Sequence, residues 1–77
     1  LILGEGKSLK IKNLEGHTIS VFPFGSDLCK VWYDGLYYKM SGDNIYINSP
    51  VGISNRVISR NSIVKILKGS ALLIISK

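Results

Sequence analysis

The residues able to do chemistry are few, and none has the company that catalysis needs. The chain has one histidine, His17, directly after Gly16, and one cysteine, Cys29. A catalytic base needs a nucleophile within reach and a third group to orient it. No such partners stand out for His17, which reads as a solvated turn residue. Cys29 lies between Leu28 and Val31 and reads as a small buried side chain, not a reactive thiol. The five carboxylates, Glu5, Glu15, Asp27, Asp34 and Asp43, sit in or beside glycine-containing turns, where such residues bond local backbone and aid solubility. No two are spaced like a metal-binding pair. Neither GxxxxGK[ST] nor a GxGxxG turn opening a helix is present, and Gly4-Glu5-Gly6-Lys7 reads as a flexible lead-in. No catalytic residue and no metal site are expected in this chain.

One stretch differs. Asn48-Ser49-Pro50-Val51-Gly52-Ile53-Ser54-Asn55 is polar, carries both Gly and Pro, and is longer than a tight hairpin requires. Loops held on a rigid scaffold are where binding residues concentrate. Ser54 offers one donor and two lone pairs, and Asn55 a donor and an acceptor, enough to read a small nitrogen heterocycle. An ordinary Ser/Asn turn accounts for the same residues and is the simpler reading from physics alone. Trp32 offers a flat face for an aromatic ligand, although Trp32, Tyr33, Tyr37 and Tyr38 are explained first as cross-strand aromatic pairs of one hairpin.

The elements that must position these residues are strands. Short β-branched and aromatic runs alternate with Gly, Asn, Asp and Ser, and predict eight strands over residues 8–12, 18–24, 28–33, 36–40, 45–48, 56–59, 63–68 and 71–76. Asp34-Gly35 predicts a two-residue hairpin pairing 28–33 with 36–40. Residues 71–75 are apolar on both faces, which predicts a central strand covered on each side. No stretch sustains the 3.6-residue period of a helix. The fold class is therefore all-β: a jelly-roll-like two-sheet β-sandwich of about eight short strands, preferred over a small closed barrel.

Composition sets the outer bounds. Seventy-seven residues, 45% of them hydrophobic and 19% charged, suit one packed domain over residues 1–77, with a small core and marginal stability. A single cysteine excludes an internal disulfide framework and fits a reducing, cytoplasmic setting. No apolar run approaches the roughly 18 residues of a membrane-spanning helix. The chain starts on Leu1 without a basic leader segment, so it is expected to be an excised piece of a longer protein. The net charge of +5 raises the alternative of a basic β-barrel binding single-stranded nucleic acid through Lys10, Lys12, Lys30, Lys39, Lys65, Tyr37 and Tyr46. The scatter of these lysines along the chain argues against it. A structural or dimerisation module is the third reading.

Four segments, taken in order, resemble one family. His17-Thr18-Ile19-Ser20-Val21-Phe22-Pro23-Phe24 is similar to an opening strand that ends in an apolar residue, proline and another apolar residue. Asp34-Gly35-Leu36-Tyr37-Tyr38 resembles a Gly-Leu-x-Tyr turn, and Gly52-Ile53-Ser54-Asn55 a Gly-x-Ser-Asn motif. Gly69-Ser70-Ala71-Leu72-Leu73-Ile74 resembles a closing glycine and apolar strand. Together they resemble the C-terminal, thiamin-binding domain of thiamin pyrophosphokinases. The resemblance implies a jelly-roll domain of a homodimeric enzyme that transfers pyrophosphate from ATP to thiamin. ATP and Mg2+ would be held by a separate, preceding domain, so this chain alone would be inactive. It further implies that Ser54 bonds the aminopyrimidine, that Asn55 holds the loop or contacts the ring, and that Gly52 and Ile53 complete the thiamin site. Gly35, Leu36 and Tyr38 read as turn and core. Arg56 and Met40 depart from the family pattern. An arginine at that place could approach phosphate or repel the cationic thiazolium.

Overall fold

A computed structural model of the chain describes residues 1–48 and 54–77. Eight strands follow one another: β1 (Ile2–Leu3), β2 (Ser8–Lys12), β3 (Thr18–Pro23), β4 (Leu28–Asp34), β5 (Ser41–Tyr46), β6 (Ser54–Arg56), β7 (Asn61–Lys68) and β8 (Ala71–Ser76). They form two four-stranded antiparallel sheets, ordered β1-β8-β3-β6 and β2-β7-β4-β5. The pairs β1·β8, β2·β7, β3·β6 and β4·β5 are the rungs of one long hairpin that has been rolled up. That is the jelly-roll arrangement the strand count predicted.

The core lies between the sheets, and period-2 alternation decides what enters it. In β3, Ile19 and Val21 are buried while Thr18, Ser20 and Phe22 face outward. In β4, Cys29, Val31 and Tyr33 are buried, and in β7, Ser62, Val64 and Ile66. Each fully buried aliphatic side chain contributes about 1.5–3 kcal/mol relative to exposure, so these three strands dominate the stability of the fold.

Several expected elements are corrected. Residues 36–40 are not a strand, and the Asp34-Gly35 hairpin does not form. Instead β4 pairs with β5, and Tyr33 N–H donates to the Met40 carbonyl at 2.8 Å. The intervening loop lies against β6, where Leu36 bridges Val57. Ser41-Gly42-Asp43-Asn44, turn-like in composition, opens β5. This edge strand absorbs Gly42 (φ 87°) at an irregularity opposite Val31 and Trp32, as edge strands and bulges permit. The strand expected over 56–59 begins earlier, as β6, and ends with the Val57 bridge. Gly4-Glu5-Gly6-Lys7 is no loose lead-in either. Gly6 N–H donates to the Ile66 carbonyl, and the Glu5 carboxylate accepts from Gly69 N–H at 2.9 Å. β8 is central within its sheet but covered on one face only: Ala71 and Leu73 are buried, while Ile74 is 48% exposed.

Candidate functional site

β6 is an edge strand, and both of its edges are occupied. On one side the register Thr18↔Arg56, Ile19↔Asn55 and Ser20↔Ser54 joins it to β3. On the other, Tyr37 N–H donates to the Arg56 carbonyl at 2.8 Å and Ile58 N–H to the Gly35 carbonyl at 2.9 Å. The loop after β4 is thus fastened along β6. Alternation sends Asn55 inward and places Ser54, Arg56 and Thr18 on the outer face. Where the loop crosses this face there is a cleft of about 490 Å³ lined by Thr18, Tyr37, Tyr38, Ser54, Asn55 and Arg56. Its size is that of a small-ligand site.

Asn55 is 4% exposed and fully engaged. Its Oδ1 accepts from Tyr38 N–H and from Arg56 N–H, both at 2.9 Å, and its Nδ2 donates to the Tyr38 carbonyl at 2.9 Å. It therefore holds the loop in place. Ser54 is exposed and lines the cleft. Tyr37 and Tyr38 are 62% and 57% exposed and meet edge to face, with ring centres 4.9 Å apart at 87°. The core role expected for Tyr38 is corrected: it forms a wall of the cleft, and the Gly-Leu-x-Tyr resemblance was the signal for that. Leu36 is buried as expected. Gly52 and Ile53 lie outside the described residues.

The remaining candidates stand elsewhere. His17 is half-buried, with Nδ1 3.1 Å from the Leu14 carbonyl in its turn. Cys29 is fully buried, and desolvation pushes its thiol above the usual range. Tyr33 is shifted upward as well, first by burial and then by Cys29. Trp32 is not in the cleft but on the outer face of the β2-β7-β4-β5 sheet, where Lys65 Nζ sits 4.8 Å from its ring centre. The scatter of lysines in the sequence is not a scatter in space, because the register places Lys10, Lys12, Lys30 and Lys65 on that same outer face. Tyr37 lies apart from them, at the cleft. Among the described residues, no three His, Cys, Asp or Glu side chains come together as metal ligands. None of the chain's five carboxylates lines the cleft. Its residues therefore do not fit a magnesium ion, and no step through one is assigned to them.

The family model for the vitamin B1 binding domain of thiamin pyrophosphokinase matches residues 8–73. The chain belongs to this family. Both the loop over residues 35–38 and β6 fall inside the matched region. The crystal structure of thiamine pyrophosphokinase from Bacillus subtilis superposes with a TM-score of 0.81 at 24% identity, over 99% of this chain. The chain spans only 36% of that protein's length. Among curated proteins, none matches the chain. Among the described residues, no helix is long and apolar enough to cross a membrane.

Proposed function

We propose that the cleft binds thiamin and that the chain serves as the substrate-holding part of a thiamin pyrophosphokinase. The whole enzyme would transfer pyrophosphate from ATP to the hydroxyl of thiamin, with ATP and Mg2+ held by another domain. The observation that carries this reading is the meeting of Tyr37, Tyr38 and Ser54 around one cleft within the family-matched segments. An aromatic wall accepts a flat heterocycle by stacking or edge contact. A neighbouring hydroxyl that both donates and accepts can pair with an aminopyrimidine. In this reading Ser54 touches the ligand, Tyr37 and Tyr38 shape the ring site, and Asn55 is a positioning residue acting through the Tyr38 backbone. Gly52 and Ile53 belong to the proposed site by family resemblance alone.

A homodimer is part of the proposal. The outer face of the β1-β8-β3-β6 sheet carries Ile2, Leu72 and Phe22 in one cross-strand row, with Phe24 and Ile74 nearby. An exposed apolar patch of this kind supports association with a second copy. The reduced, buried Cys29 supports a cytoplasmic setting.

Steady-state kinetics of the full-length enzyme test the assignment. Ser54→Ala should raise KM for thiamin about fivefold to tenfold, the effect of one lost neutral hydrogen bond, with kcat little changed. Unchanged kcat/KM in a folded Ser54→Ala variant would remove Ser54 from the site.

A further inference from the structure

The charge of the cleft does not suit the ligand proposed for it. Thiamin is a cation through its thiazolium ring, yet the charged side chain lining the cleft is Arg56, and no carboxylate stands there to balance it. A site shaped only for a cation would be expected to carry the opposite sign.

The placement of Arg56 is well defined. Its N–H donates to Asn55 Oδ1 at 2.9 Å, and its carbonyl accepts from Tyr37 N–H at 2.8 Å, so the main chain is fixed from both sides. The register sets it directly opposite Thr18 on the outer face of the sheet, where cross-strand side chains stand about 4.5–5.5 Å apart at Cβ. Thr18 and Ser54, both hydroxyl-bearing, line the same cleft. A guanidinium offers five donors in a planar fork that matches two phosphate oxygens at once, and adjacent hydroxyls can add further donors. An aromatic wall, two hydroxyls and a guanidinium together describe a site for a ring system that carries phosphate.

We propose that Arg56, with Thr18 beside it, is a phosphate-binding element that makes the cleft hold thiamin diphosphate, the product, more tightly than thiamin, the substrate. The inference rests on the reading of the cleft as a thiamin site. In the reaction, the guanidinium gains its attraction only as the diphosphate becomes attached to the ligand. Arg56 thereby favours the product side of the transfer and slows product departure.

Calorimetric titration of the full-length enzyme with thiamin and with thiamin diphosphate, at low and high salt, tests this. The wild type should bind the diphosphate about tenfold or more tightly than thiamin, as a charge-assisted pair would give. That preference should shrink at high salt through screening. Arg56→Gln should bring the two affinities within about twofold, with thiamin bound as well as before or better because a like charge has gone. Arg56→Lys, which keeps the charge but loses the fork, should retain an intermediate preference. Because the Arg56 side chain is exposed, all three proteins should give matching amide spectra. If both ligands bind and Arg56→Gln leaves the preference unchanged, the phosphate role fails while the thiamin site stands. If neither ligand binds the wild type, the thiamin site fails and the phosphate role with it.

Discussion

The side chain of Asn55 spans the Tyr38 peptide, accepting from its N–H and donating to its carbonyl, each at 2.9 Å. A buried amide on β6 thus extends the backbone bonds that tie the loop after β4 to this strand. Sequence position 55 matters because of where it holds position 38.

Asn55→Ala should therefore act first on the loop. It leaves the N–H groups of Tyr38 and Arg56 without their acceptor, and orphaning buried backbone groups costs about 1–3 kcal/mol. In a domain of this size that lowers Tm by several degrees, at about 4–8 °C per kcal/mol. Thermal melts give the stability change, and amide exchange at Tyr38 and Arg56 should rise well above that of β3 and β4. Equal exchange in both proteins would mean that Asn55 does not secure the loop.

Gly35 should tolerate no side chain. Its φ is +83°, and a Cβ there would meet Ser62 Cβ at 2.9 Å and Ser62 Cα at 3.0 Å. The close approach lets Ser62 Oγ donate to the Gly35 carbonyl at 3.1 Å and to the Ser59 carbonyl at 3.2 Å. Gly35→Ala should cost more than the roughly 1 kcal/mol of a simple glycine replacement at positive φ. Adding Ser62→Ala should not rescue it, because the backbone contact and the torsion persist. Denaturant melts of the two variants decide this, and full rescue would show that the clash lies in the serine side chain alone.

The sequence discloses the strands that build the core far better than those that frame the cleft. β2, β3, β4 and β7 carry enough alternation that inner residues such as Ile11, Ile19, Val31 and Val64 are legible from period 2 alone. The edge strands hide. β5 opens on Ser41-Gly42-Asp43-Asn44 because an edge beside an irregularity can accept turn residues. The loop over residues 36–40 looks like a strand because Leu36, Tyr37 and Tyr38 are strand-forming types. In fact it is a loop fastened to β6 by backbone bonds and by the side chain of Asn55, seventeen residues from Tyr38. Propensity cannot register such a long-range bond. Ser54 and Asn55 were readable as polar loop residues, but their opposite directions on a strand, one into the cleft and one into the core, appear only with the register to β3. The lysines mislead for the same reason: four that are distant in sequence share one sheet face.

Stability should fall on the alkaline side. The Cys29 thiol and the Tyr33 hydroxyl are both shifted upward in the folded state, chiefly by burial. Each group binds its proton more firmly folded than unfolded, so its contribution is intact below the unfolded pKa and is lost as pH rises beyond it. The loss should begin near pH 9, from the ordinary cysteine value of 9.0, and steepen once tyrosine also ionises in the unfolded chain. Each group adds a slope of up to about 1.4 kcal/mol per pH unit. Urea midpoints measured across this range should fall in the wild type and fall less in Cys29→Ala. A flat profile above pH 9 would contradict the burial of both groups.

Chemical-shift mapping of the isotope-labelled full-length enzyme under thiamin titration tests most directly whether the cleft between the residue 35–38 loop and β6 binds thiamin. Saturable shifts should centre on Thr18, Tyr37, Tyr38, Ser54, Asn55 and Arg56, the residues lining the cleft, and on Gly52 and Ile53 of the proposed site. Shifts centred instead on Lys10, Lys30, Lys65 and Trp32, or none up to millimolar thiamin, would contradict binding in the cleft.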